Sequence, residues 1–331
     1  MSENSTRVIS ALYIYPLKSC KGIELKSWKI GQYGFKYDRY WMIINEKCQV
    51  VTQREQSKAI IIFILVFITP KLEEVDSEDE SKGGDLVLSA PDMEELRLPL
   101  LPDQANCIKS KATIFDDTID ACDCGEESSK WITKYLGCSA RIVFKSDARF
   151  VSSNLPKELS HQPKVAMQDG FPFLLISEES LSDLNNRLSK LVDARNFRPN
   201  IVVRGCNCPF EEDKWKKIII GDDKENLFFV ACRCTRCTVP NVNPDTGEIN
   251  NQTLKTLQSY RRVDAGAKYF ACFVQLCLDG YEKISKKCKK DILYKNYMGL
   301  SVNIAAKAKI PFSMESVNEI EEFVHALLTL R

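Results

Sequence analysis

Short apolar segments, each stopped by a turn residue, recur along this chain, and that spacing limits it to sheets that close or stack on themselves. Val8-Ile9-Ser10-Ala11-Leu12-Tyr13-Ile14-Tyr15 is strand-like and stops at Pro16. A loop follows through Lys18, Ser19 and Gly22, residues 28–30 make a short strand, and Gly31 and Gly34 mark a turn. Residues 39–45 (RYWMIIN) form another strand and Val50-Val51-Thr52 begins the next. Short strands between turn signals predict a barrel or a sandwich.

The same punctuation continues downstream. Strands are expected at 86–88, 96–98, 173–176, 200–203, 217–220 and 270–278, with 227–231 leading into a cluster of cysteines. Residues 73–85 read as an acidic, solvated loop, 147–170 as an irregular loop, and Pro244-Asp245-Thr246-Gly247 as a turn. Helical spacing appears in three places. Residues 126–136 set Trp131, Ile132 and Tyr135 on one side, with Gly137 as C-cap. Ser177 can cap a helix reaching about Val192, with Leu181, Leu184, Leu188, Leu191 and Val192 inward. Ser316 with Glu319 makes a capping box ahead of an apolar stripe through Leu328. The class is therefore mixed α/β and β-rich. The apolar run at 59–68 is too short to span a bilayer, which takes about 20 residues, so it is expected as a buried strand and no transmembrane segment is expected.

Charge narrows the functions. With 46 Lys and Arg against 45 Asp and Glu, the net charge is +1, which argues against nucleic acid as a partner. The metal-binding residue types are unbalanced: 14 cysteines stand against 2 histidines, His161 and His325. That excludes a multi-histidine site, so any metal chemistry runs on sulfur. No secretory signal opens the chain. An intracellular, by default cytoplasmic, protein with reduced thiols is expected, with mitochondrial association open. Cys48, Cys107, Cys138, Cys272 and Cys277 then read as small core hydrophobes.

The exceptional group is Cys232-Arg233-Cys234-Thr235-Arg236-Cys237, with Cys206 and Cys208 upstream. Three readings stay open. The five thiols could hold structural zinc. Cys234 and Cys237 could form a redox pair, although Thr-Val-Pro follows them where such a pair usually opens a helix. A single thiolate could bind a soft metal while flanking arginines hold an anionic cofactor. Lys18-Ser19, Arg39 beside Trp41, and Asn196-Phe197-Arg198-Pro199-Asn200 supply further donors to such a centre.

Ordered motifs carry a family resemblance. They are Tyr15-Pro16-Leu17-Lys18-Ser19-Cys20-Lys21-Gly22, Tyr37-Asp38-Arg39-Tyr40-Trp41, Thr52-Gln53-Arg54, Asn196-Phe197-Arg198-Pro199-Asn200, Cys234-Thr235-Arg236-Cys237 and Asn243-Pro244-Asp245-Thr246-Gly247. Across residues 7–284 the chain resembles the MOSC-domain proteins, specifically the molybdenum amidoxime-reducing component group. The resemblance implies an N-terminal β-barrel domain (5–130), a MOSC β-barrel domain with flanking helices (145–295) and an atypical tail (296–331). It implies a molybdenum cofactor (Mo-molybdopterin) in the cleft between them. Cys237 matches the metal-ligating, catalytic cysteine. Lys18, Ser19, Arg39, Asn196, Arg198, Asn200, Thr235 and Arg236 match cofactor-binding positions, and Asp169, Gly170, Phe171 and Tyr294 join them. Pyridoxal phosphate binding is attached to the wider superfamily.

The implied activity is reduction of a small N-hydroxylated substrate, an amidoxime or hydroxylamine, to its amidine or amine plus water. The implied electron donors are separate proteins, a small b-type haem cytochrome and its NADH-dependent flavin reductase. A non-catalytic cofactor or sulfur carrier is the alternative. Two stretches depart from the family pattern: the long apolar passage at 60–69, and everything after Ile284.

Overall fold

The computed structural model describes residues 7–52, 64–74, 83–114, 117–146, 149–150, 159, 162–220, 227–235, 237–261, 271–278, 301–303 and 312–314. The first half contributes β1 (Val8–Ile14), β2 (Ile23–Leu25), β3 (Ser27–Gly31), β4 (Gly34–Phe35) and β5 (Trp41–Asn45). Then come β6 (Thr69–Glu74), β7 (Gly84–Ser89), β8 (Leu96–Pro99), β9 (Lys109–Ile114) and β10 (Asp117–Asp123). Helix α1 (Glu126–Leu136) ends at Gly137, whose φ of 65° is the left-handed cap the sequence predicts. It is followed by β11 (Ala140–Lys145), β12 (Arg149–Phe150) and β13 (Lys164–Val165).

The second half runs through β14 (Phe173–Ser177), α2 (Glu178–Asn185), β15 (Ile201–Arg204), β16 (Lys217–Ile220) and β17 (Leu227–Thr235). Helix α3 (Gln252–Tyr260), β18 (Ala271–Leu278), β19 (Ser301–Asn303) and β20 (Phe312–Met314) complete it. The chain is β-rich, as expected. Among the described residues no helix is long and apolar enough to cross a membrane.

The largest sheet has the order β2-β1-β15-β14-β18-β17-β16-β20. Strand β1 pairs antiparallel with β15, Leu12 opposite Ile201. A second sheet, β5-β11-β10-β9, sets Ile43 of β5 against Ile142 of β11. Aromatic rings organise one core on each side. In the first, the Trp41 and Phe144 centroids lie 5.0 Å apart in an edge-to-face contact. In the second, Phe35 meets Phe173 at 5.1 Å and Phe173 meets Phe228 at 5.4 Å. Gly34 makes the first approach possible: at φ 101°, a Cβ there would sit 2.9 Å from the Pro172 carbonyl oxygen.

Several expectations change. The apolar run is not a strand where it is described: Ile64 and Leu65 lie in a helical turn, and Leu65 and Ile68 are buried. Helix α2 is capped by Ser177, whose side chain accepts from the Ser180 amide, but it stops at Asn185. The Asn185 amide bonds both backbone groups of Val192 and folds the chain back, which leaves Leu191 70% exposed. Val50 makes an isolated bridge to Ile44 instead of opening a strand. The β9–β10 hairpin was not expected, because its polar outward face conceals the alternation. Cys107 and Cys122 are joined in a disulfide, against the expectation of reduced thiols. Cys122 pairs in register with Lys109, and Cys107 lies two residues before it, so the Cα atoms are 5.6 Å apart. The predicted tail helix lies outside the described residues.

Candidate functional site

Two loops of the first half face the ends of the large sheet across a cleft of about 490 Å³. Backbone bonds zip the loops together: the Arg39 amide donates to the Tyr15 carbonyl at 2.9 Å, and the Lys18 amide donates to the Trp41 carbonyl at 2.9 Å. Ser19 (φ 70°) and Arg39 (φ 54°) are left-handed in these loops, and Arg198 (φ 56°) is left-handed on the opposite wall. Each such residue costs about 1–2 kcal/mol. Their gathering around one cleft is the pattern of strain held at a functional site.

The cations of the cleft differ in how they are neutralised. Lys18, 7% exposed, donates through Nζ to the Met167 carbonyl and to Asp169 Oδ1, both at 2.6 Å. Arg39 meets both oxygens of the fully buried Asp38 at 2.6–2.7 Å. Asp38 also accepts the Tyr15 amide at 2.8 Å. Arg198 donates through Nη1 to the Cys20 carbonyl at 2.6 Å, and its Nη2 is buried with no hydrogen-bond partner. Among the described residues, no carboxylate lies within ion-pair distance of it. Burial, with the charge of Arg39 adding to it, pushes the Arg198 guanidinium down to about 10.

The Tyr15 ring spaces the two arginines. Arg39 lies 4.3 Å from its centroid and Arg198 4.1 Å, each a cation–π contact. The Tyr15 hydroxyl is buried without a hydrogen-bond partner, and burial raises its pKa.

Cys237, half-buried, follows the end of β17 and lines the cleft with Cys234 and Thr235. Its chain direction is set by the 3₁₀ turn Val239–Asn241. Asn243 then accepts the Asp245 and Thr246 amides at 2.9 Å, in the Asx turn that the Asn-Pro-Asp-Thr-Gly motif suggests.

Ser19, Asp169, Gly170, Phe171 and Asn200 also line the cleft. Asn196 does not: it lines the smaller cavity behind Arg198. Its amide holds the Pro240 and Val242 carbonyls at 3.3 and 3.0 Å, which makes it a support of the loop that carries Cys237. Arg236 and Tyr294 lie outside the described residues.

Three participants escaped the sequence reading. Tyr15 and Asp38 adjoin the basic motifs, and the Asp-Arg pair at 38–39 was a usable signal. Gln275 is a polar residue inside an apolar strand run, which was also visible. The five clustered cysteines do not converge. Cys206 is buried in the second core, Cys208 is exposed, Cys232 bonds Gln275, and only Cys234 and Cys237 reach the cleft. Among the described residues no three Cys, His, Asp or Glu are grouped to hold a metal ion.

Family profiles match both halves: the MOSC N-terminal beta barrel domain at residues 6–139 and the MOSC domain at residues 162–280. The chain is 36% identical to mitochondrial amidoxime-reducing component 1 of Mus musculus, over 77% of this chain and 72% of that protein. It is 35% identical to mitochondrial amidoxime reducing component 2 of Bos taurus, over 78% and 74%. Against the component 1 protein of Homo sapiens it is 34% identical over 77% and 72%.

Proposed function

The chain belongs to the MOSC-domain family, among the relatives of the amidoxime-reducing components, and from that membership we propose that it is a molybdenum-cofactor-dependent reductase of N-hydroxylated compounds. The observation that carries this reading is Arg198 Nη2, a buried guanidinium donor with no partner at the edge of a roomy cleft. An unmatched buried donor of this kind suits an anionic group. The cleft is of ligand-binding size, and Cys237 offers it a soft sulfur ligand. The residues present therefore fit the cofactor, whose phosphate needs cations and whose metal favours sulfur.

In this reading Cys237 ligates the metal. Lys18, Arg39 and Arg198 hold the phosphate end, and Ser19, Asn200 and Thr235 supply polar contacts to the pterin. Asp169 fixes Lys18, Gly170 leaves room, and Phe171 keeps water from one wall. Asn196 braces the Cys237 loop, while Arg236 and Tyr294 enter through the resemblance alone. When bound, the cofactor supplies a two-electron redox centre that these side chains lack. The overall reaction takes an N-hydroxylated compound, two electrons and two protons to the amine or amidine and water. The electrons come from a small b-type haem cytochrome and its NADH-dependent flavin reductase, and the names of the mitochondrial relatives support mitochondrial association.

The test is metal and pterin analysis of chain made in a cofactor-competent host, followed by NADH-coupled reduction of benzamidoxime with cytochrome and reductase added. About one molybdenum per chain and turnover above the cofactor-free control are expected, and Cys237→Ser is expected to lose both. Bound cofactor without turnover makes the chain a carrier, and a Cys237→Ser protein that keeps metal and activity overturns the ligand assignment.

A further inference from the structure

Three carboxamides line the cleft, and in two of them both the oxygen and the nitrogen bond the fold. Gln168 accepts the Ala166 amide at 2.7 Å and donates to the Tyr33 and Asp38 carbonyls at 3.0 Å. Asn200 accepts the Leu174 amide at 3.2 Å and donates to the Tyr13 carbonyl at 3.2 Å. Gln275 differs. It sits on β18 in register with Cys232 of β17, beside the bulge between Val230 and Cys232. The Cys232 thiol donates to Gln275 Oε1 at 3.3 Å.

That one bond orients the amide. Cys232 Sγ lies against Oε1 and is the donor, and burial pushes that thiol up to about 12, so it keeps the proton it donates. The amide oxygen therefore faces Cys232, and Nε2 is left without a polar partner among the described residues. The backbone opposite is bare: a Cβ on Gly170 would lie 3.3 Å from Oε1 and 3.4 Å from Nε2. Phe171, Phe173 and Leu174 make the nearby wall apolar, a setting in which an unmet donor discriminates strongly between ligands that can and cannot accept from it.

We propose that Gln275 is a specificity-determining residue, donating from Nε2 to the hydroxyl oxygen of an N-hydroxylated substrate and so favouring it over its oxygen-free product. The proposal rests on the reductase reading of the cleft. Its function is selection at the binding step; the reducing electrons and protons of the reaction do not pass through the amide.

The experiment titrates benzamidoxime and benzamidine calorimetrically into full-length, cofactor-loaded protein, as wild type, Gln275→Leu and Gln275→Glu. Wild type is expected to prefer benzamidoxime, and both variants to lose about five- to tenfold of that preference, the weight of one hydrogen bond. Molybdenum and pterin contents stay unchanged. Gln275→Glu keeps the side-chain shape and the acceptor for Cys232, so it serves if the leucine variant does not fold. Preference absent in wild type, or unchanged in the variants, overturns the proposal. So does a fall in pterin content, which gives the amide to the cofactor. If the preference depends on Gln275 but the loaded enzyme reduces no benzamidoxime, the reductase reading fails and the role of Gln275 in binding stands.

Discussion

Arg39 donates through Nη2 to the main-chain carbonyl of Arg198 at 3.1 Å, tying a loop of the first half of the chain to the opposite wall of the cleft. The same guanidinium neutralises Asp38, which is fully buried. One side chain thus holds the cleft together and covers a buried charge.

Replacing Arg39 by Ala takes the guanidinium partner from the buried Asp38 carboxylate. Breaking a buried pair in this way costs about 3–5 kcal/mol. Urea unfolding of Arg39→Ala is expected to show a loss of that size. A loss below about 1 kcal/mol, the range of exposed pairs, rules this role out.

Tyr15 separates its ring from its hydroxyl in function. The ring carries two cation–π contacts, and the hydroxyl has no hydrogen-bond partner. Tyr15→Phe is expected to be neutral or stabilising, since it removes an unmet buried polar group. Tyr15→Leu is expected to lose about 1–4 kcal/mol through both arginine contacts. Gly22→Ala should destabilise as well, by about 1–3 kcal/mol, because its Cβ would fall 2.5 Å from the Tyr15 ring. Thermal melts of the three variants should rank them in that way, with the phenylalanine protein highest.

Glu212 is completely buried and accepts the hydroxyls of Ser177 (3.0 Å) and Ser180 (2.7 Å). Burial raises its pKa above the ordinary 4.5, with the charge of Asp213 adding to it and the serine bonds opposing it. A carboxyl raised in the folded state binds its proton more tightly folded than unfolded. Its contribution to stability is therefore complete below 4.5 and is lost as pH rises through the folded-state value. Glu212→Gln should remove that falling slope and be the more stable protein at neutral pH. Unfolding free energies across pH 4 to 8 test this, and parallel curves for the two proteins would refute it.

Local features were the legible part of this structure. Gly137 ends α1 as its position implies, and Ser177 caps α2, because each signal acts within a few residues. The basic loop at Lys18-Ser19 and the segments at Arg39 and Arg198 could be named, because turn residues and cations stand together in sequence. The length of α2 could not be read, since it depends on the Asn185 amide reaching Val192. The disulfide was missed because it follows from the register of β9 with β10. The partner of β1 was equally hidden: Leu12 meets Ile201, and nothing near either residue announces the other.

That pairing has a consequence for how the chain can be divided. β1 begins the first half but lies between β2 and β15 in the sheet of the second, and β11 lies past residue 139 yet fills the place between β5 and β10 in the sheet of the first. A cut at residue 139, where the first match ends, therefore severs neither half cleanly. The first fragment would lack a central strand, and the second would present β15 as an open edge, the kind of surface that recruits foreign strands. Expressed apart, the pieces should aggregate; supplied together, each holds the strand the other lacks. The strand exchange thus predicts that the two regions must be truncated or transplanted together.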